Sequence, residues 1–270
     1  MEQDAVSKDL SSYNLLRWYL AAGVDELAGT APLNRFDEQS AAEGKAASPL
    51  APAPRNAPAG RLASPGKIRE EATAIASACL SLAELEAAVR AFDGSALKAT
   101  ATTTVFSDGD PLSRVMFIGD APGAEEDRQG RPFVGESGQL LDKMLAAIGR
   151  SRQQIYATNI LFWRPPGSQK PTPQQSTVFM PFVKRHIELV QPKLLVLLGG
   201  TPANLLLDTP EGITRLRGKW TSYTFGPGDH DTVPVLPTYH PLNLLQQPHF
   251  KADAWKDFLE IRLRLETLKI

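Results

Sequence analysis

The chain has 270 residues, 42% of them hydrophobic, with 29 Lys and Arg against 30 Asp and Glu. A near-neutral chain of this length can bury one or two cores, and any nucleic-acid-binding surface on it must be local. Its single cysteine, Cys79, excludes an internal disulfide and any multi-cysteine metal or iron–sulfur site.

Residues 11–28 read as a short amphipathic helix opened by Ser11 or Ser12, with Leu15, Leu16, Tyr19 and Leu20 on one side. The first residues, Met1-Glu2-Gln3-Asp4, are polar and acidic, unlike a secretory or mitochondrial signal, and no apolar run reaches membrane-spanning length. The expectation is a cytoplasmic protein without a membrane partner. From about Gly29 to Gly66 the composition shifts to Ala, Pro, Gly and Ser, as in Pro49-Leu50-Ala51-Pro52-Ala53-Pro54, which predicts a flexible linker. The expected division is therefore an N-terminal helical segment over 1–28, a linker over 29–66 and a folded domain over 67–270.

Ser81 and Glu84 form a capping-box pattern ahead of a helix with Leu82, Leu85, Val89 and Phe92 on one face. Cys79, in the Ala-rich run before it, reads as a small buried side chain. Strand-length apolar runs follow at 114–118, 155–161, 193–198 and 233–239. Helical patterns alternate with them at 137–148, 173–190 and 202–208, and a last helix is expected over about 250–267. Thr172-Pro173 and Thr201-Pro202 supply cap and first-turn residues. Trp220, Tyr223 and Phe225, before Gly226-Pro227-Gly228, can add a hairpin strand. Alternation of strands and helices predicts an α/β protein, a three-layer α/β/α sandwich around a four-stranded parallel sheet.

In such a sheet ligands bind beyond the carboxyl ends of the strands. The predicted ends carry Gly119-Asp120, Thr158-Asn159, Gly199-Gly200-Thr201 and Tyr239-His240-Pro241. Asp120 could be a turn residue, Asn159 a loop hydrogen bonder and His240 a structural histidine. Their convergence on one edge favours a functional site. Other chemistries lack their signatures: there is no G-x-G-x-x-G, no Walker A loop and no G-x-S-x-G elbow, and Pro122 removes an amide donor from the first turn. The histidines 186, 230, 240 and 249 form no zinc pattern, so neither metal nor cofactor is expected.

Three segments resemble the family 4 uracil-DNA glycosylases. They are Gly119 to Asp127 with Gly130-Arg131-Pro132-Phe133-Val134-Gly135 and Gly138 to Asp142, then Thr158 to Pro166, then His240-Pro241. The resemblance covers roughly residues 80–268. It implies hydrolysis of the bond between uracil and deoxyribose in DNA, without a metal, by an enzyme expected to be a monomer. Phe133 would stack on the flipped base, and Asn159 would hydrogen-bond its edge. His240 would hydrogen-bond uracil O2, and Asp120 would handle the attacking water. Glu126 would line the pocket near C5, with Ala121 and Gly123 in the same wall.

The chain departs from the family at several points. Asp120 is one methylene shorter than the usual Glu. The four cluster-binding cysteines of the family correspond approximately to Phe92, Ser95, Trp163 and Phe179, so the resemblance implies aromatic packing there instead. Gly123 stands where family 1 enzymes place a thymine-excluding Tyr, which implies a roomier pocket open to hypoxanthine or xanthine. Leu242 or Leu244 would enter the helix as a wedge, and Arg164, Lys170, Arg215 and Arg217 would contact phosphates. A uracil-DNA binding protein with little turnover, and a generic nucleotide-binding α/β domain, are the alternatives.

Overall fold

The computed structural model describes residues 65–226 and 232–270. The helix expected at 11–28 and nearly all of the linker lie outside the described residues. The elements run in chain order as follows: α1 Pro65–Ala78, α2 Leu82–Ala91, β1 Asp108–Gly109, β2 Val115–Gly119, α3 Ala124–Gln129, α4 Glu136–Ala147, β3 Tyr156–Asn159, α5 Pro173–Val190, β4 Leu194–Leu198, α6 Gly200–Leu207, α7 Ile213–Leu216, β5 Thr221–Thr224, β6 Thr232–Thr238, α8 Pro241–Gln246 and α9 Lys251–Leu268.

The sheet has six strands in the order β1-β3-β2-β4-β6-β5. Its centre is the expected parallel set, β3-β2-β4-β6. The two additions are short antiparallel edges: β1 on β3, and β5 on β6, where the hairpin strand was expected. β1 is only two residues, Asp108 and Gly109, too short to leave an alternating pattern in the sequence.

β2 is buried along its whole length, as a strand covered on both faces must be. Its side chains alternate between the two layers. Met116 and Ile118 join Tyr156, Leu195, Leu197 and Val235 against α1, α2 and α5, whereas Val115 and Phe117 join Val196, Leu198 and Leu236 against α4 and α9. Caps fix the helix starts. Ser81 Oγ accepts the Glu84 amide proton at 3.2 Å, and Thr172 Oγ1 accepts that of Gln175 at 3.2 Å. Residues Ile160 and Leu161, expected to extend β3, instead carry on past the strand. Their amides donate to the Gly119 and Asp120 carbonyls, which draws the two strand-end turns together.

Trp163, Phe179, Phe92 and Phe182 fill the space between α2, α5 and the loop after β3. Trp163 meets Phe179 edge-on at 5.4 Å, Phe92 meets Phe182 at 5.1 Å, and Phe92 meets Phe179 at 6.5 Å. Ser95 caps the short turn at Ala96–Ala99, accepting from the Leu97 amide. These are the positions matched to the family's cluster cysteines. They carry no thiolate, and Cys79 is the only cysteine of the chain. A four-cysteine iron–sulfur cluster does not fit.

Candidate active site

Parallel pairing sets the four central strands in one direction, so their carboxyl ends share one edge. The register places Gly119 of β2 beside Asn159 of β3, and Leu198 of β4 beside Thr238 of β6. Asp120, Asn159 and His240 therefore meet as the sequence predicts. They line one cleft of about 420 Å³ with Ala121, Gly123, Glu126 and Phe133, within the size range of small-ligand sites. Lys170, Gln169, Leu242 and Asn243 stand at the same cleft.

Phe133 forms one wall. Its ring stacks against His240 at 5.8 Å between centroids and 30° between planes. Its backbone is left-handed, with φ +57°, an uncommon state for a bulky residue. Gly119 gives the ring its room: a Cβ there would lie 2.6 Å from Phe133 Cζ and 2.6 Å from Asn159 Oδ1. Asn159 is 2% exposed and its Oδ1 has no hydrogen-bond partner within the protein. Thr158 anchors this strand end by donating to the Phe106 carbonyl at 2.6 Å.

Asp120 is half-buried, and its Oδ1 also lacks a hydrogen-bond partner. Burial pushes its carboxyl up to about 6, against the pull of the Thr201 hydroxyl, the Lys170 ammonium and the Thr201 amide. At neutral pH it is mostly ionised and poised to take a proton. Gly199 closes the far side at φ +107°: a Cβ there would lie 3.0 Å from Asp120 Oδ1 and 3.3 Å from His240 Cβ.

His240 begins α8. Its Nδ1 accepts the Leu242 amide proton at 3.1 Å, and burial lowers its pKa to about 4. The ring is neutral at pH 7 with its proton on Nε2, a hydrogen-bond donor that carries no charge.

Glu126 combines two roles. It lines the cleft, and its carboxylate accepts three backbone amides: Gly123 at 3.1 Å, Val134 at 3.1 Å and Gly135 at 2.9 Å. It thereby ties the turn after Asp120 to the loop bearing Phe133. A Cβ on Gly123 would come within 2.7 Å of Glu126 Oε2, so a side chain at 123 would displace that oxygen from its amide.

Two expectations for DNA contact need correction. Leu244 is 1% exposed and packs in the core with Tyr239 and Ala254, so it cannot enter a helix; Leu242, 46% exposed, remains as the wedge candidate. Arg217 is not a surface cation for phosphates. It pairs with the buried carboxylate of Asp257, donates to the Asp253 carbonyl and covers the Tyr239 ring. Of the other cations, Lys170 lines the cleft, Arg215 is exposed on α7 and Arg164 is half-buried in the loop after β3.

Gly119 and Gly199, which leave room for Phe133, Asn159 and Asp120, and Thr201, which hydrogen-bonds Asp120, adjoin the cleft and are not singled out by sequence reasoning. The strand-end rule pointed to their positions, but a glycine that makes room leaves no chemical signal. Among the described residues no three His, Cys, Asp or Glu side chains converge as a metal site would need, and no helix is long and apolar enough to cross a membrane.

An aromatic wall, an amide whose oxygen is unpartnered, a neutral imidazole donor and a half-buried carboxylate around one cleft suit a flat heterocycle whose attached bond is to be hydrolysed. Residues 106–259, more than half of the chain, match the model of the uracil DNA glycosylase superfamily, and the chain belongs to that superfamily. It is 36% identical over 166 residues to the type-4 uracil-DNA glycosylase of Sulfurisphaera tokodaii, covering 60% of this chain and 74% of the relative. With that of Archaeoglobus fulgidus it shares 34% over 170 residues, 61% and 83% of the two chains. With that of Thermotoga maritima it shares 36% over 146 residues, 54% and 73%.

Proposed function

We propose that this protein is a uracil-DNA glycosylase that opens base excision repair, acting as a cytoplasmic monomer. The observation that carries this reading is the pair of unpartnered buried oxygens, Asp120 Oδ1 and Asn159 Oδ1, in one cleft with the Phe133–His240 stack. A flipped base is held by stacking and edge hydrogen bonds. Phe133 supplies the stack, and the Asn159 amide, which both donates and accepts, suits uracil O4 and N3–H.

As the C1′–N1 bond breaks, its electron pair stays on the uracil, and the His240 Nε2–H stabilises the charge gathering at O2. The sugar becomes cationic beside the Asp120 carboxylate. Water adds its oxygen to C1′ and gives one proton to Asp120, leaving an abasic site; the uracil anion takes up a proton as it leaves, and Asp120 returns its own to solvent. A shorter acid than the family's Glu stands here, with room left by Gly199 and hydrogen bonds from the Thr201 hydroxyl and amide. Leu242 is the candidate wedge, and Lys170, Arg164 and Arg215 are the candidate phosphate contacts.

The base range extends in this reading to hypoxanthine and xanthine, because Gly123 adds no side chain to the cleft wall. An oligonucleotide panel in which only uracil is excised would remove that extension. The division into an N-terminal segment (1–28), a linker (29–66) and a catalytic domain (67–270) belongs to the same reading; limited proteolysis that spares 29–66 and cuts within 67–270 would overturn it.

The direct test is incubation with a uracil-containing strand followed by alkali, with Asp120→Ala, Asn159→Ala and His240→Ala alongside. Strand cleavage by the parent protein, strongly reduced in all three variants, is expected. Tight uracil-DNA binding with no abasic product would leave a binding protein instead.

A further inference from the structure

Phe133 holds an unfavourable backbone state at the centre of the site, left-handed at φ +57° although it is a bulky non-glycine residue. Such a state persists only where its surroundings enforce it. The enforcing group is at the far end of β3. Arg152 Nη2 donates to the Phe133 carbonyl at 2.9 Å and to the Gly138 carbonyl at 3.4 Å. Its guanidinium lies 5.9 Å from the Phe133 ring centroid, and its Nε is anchored by Asp142 Oδ1 at 2.9 Å. The two carbonyls converge because Gly138 passes directly beneath Phe133: a Cβ at Gly138 would lie 1.7 Å from the Phe133 oxygen.

The Arg152 side chain is 13% exposed, and its Nη1 is buried with no partner. An unpaired buried guanidinium nitrogen is costly. Arg152 tolerates it in a place where three other contacts all lead to the Phe133–Gly138 segment or its anchor. A planar guanidinium with several fixed donors can hold two carbonyls and a carboxylate at once, which a lysine cannot.

We infer that Arg152 is the positioning residue for base stacking: by binding the Phe133 and Gly138 carbonyls it holds the left-handed Phe133, and so aims the ring at His240. The inference rests on the glycosylase reading above for its functional meaning, but its structural half stands apart. Arg152 precedes β3, the strand that ends in Asn159, so the same strand links the residue that positions the stacking ring to the residue that reads the base's edge.

The test is a double-mutant cycle of Arg152→Met and Phe133→Ala, read by uracil excision and by amide hydrogen exchange. Arg152→Met is expected to raise KM and lower kcat/KM about tenfold or more, with the pH midpoint of kcat unmoved. In the Phe133→Ala background the same change is expected to cost less than twofold, since residues acting through one another are not additive. Arg152→Lys should fall between. Should Arg152→Met fail to fold, Asp142→Asn, which frees the outer anchor at a half-exposed site, carries the same cycle with a smaller loss.

Losses that multiply in the double variant would overturn the proposal. Amide exchange over residues 131–136 should quicken at least tenfold in Arg152→Met or Asp142→Asn, while β2 and β3 stay unchanged. Unchanged exchange there would overturn the proposal even in a protein without activity, whereas quickened exchange in an inactive parent would count against the glycosylase reading alone.

Discussion

His240 Nδ1 accepts the backbone amide proton of Leu242 at 3.1 Å, so the first turn of α8 decides which ring nitrogen keeps its proton. With the pKa lowered to about 4 by burial, the ring works as a neutral Nε2–H donor throughout the physiological range. A preorganised donor of this kind contributes about 10²–10³ in kcat. His240→Ala should lose that much with a small change in KM, and His240→Gln, which keeps a donor, should recover part of it. Equal excision rates for His240→Ala and the parent would remove the imidazole from the chemistry.

Two cations that look alike in sequence should behave differently. Arg217 is paired with a buried carboxylate, and removing one partner of such a pair costs about 3–5 kcal/mol. Arg217→Ala should therefore lower thermal stability by many degrees, leaving the salt dependence of DNA binding unchanged. Lys170→Ala should do the reverse: no loss of stability, and a slope of log Kd against log salt shallower by about one contact. Salt titration and melting curves of both variants distinguish the two roles.

Glu126 is predicted to act chiefly through the three amides it accepts. Glu126→Gln keeps the shape but weakens charge-assisted bonds, each worth roughly 1.5–3 kcal/mol. It should lower stability and loosen the Phe133 loop together. Gly123→Tyr should lower stability as well, because its Cβ meets Glu126 Oε2. If Gly123→Tyr folds as stably as the parent while only narrowing base range, the brace is misassigned.

Asp120 carries an electrostatic cost in the fold. Its folded pKa, about 6, lies above the ordinary 3.8. A raised carboxyl leaves stability intact below pH 3.8 and removes it as pH rises through 6, on the order of 3 kcal/mol when complete. Asp120→Asn should thus melt higher than the parent at pH 7.5, with the gain shrinking towards pH 4. A variant no more stable at pH 7.5 would contradict the burial argument.

Much of this was legible in the chain. Four apolar runs mark the parallel strands, and the rule that ligands gather at strand ends brings Asp120, Asn159 and His240 together from the sequence alone. What escaped has physical reasons. β1 is two residues long, and a strand that short has no period. Leu242 and Leu244 are two apart on a short helix, so their opposite fates, exposed and buried, depend on how α8 docks. Arg217 reads as a loop cation until Asp257, forty positions later, is folded beside it. Arg152 lies at the amino end of β3, away from the edge where ligands are sought, and only a long side chain carries it to Phe133.

The most direct measurement of the central claim is single-turnover release of free uracil from a deoxyuridine-containing strand across pH 4.5 to 8.5. The account predicts release that rises with pH through a midpoint near 6, as Asp120 ionises, then levels off, with the rise abolished in Asp120→Asn. No free uracil at any pH, or a rate that falls as pH rises through 6, would contradict it.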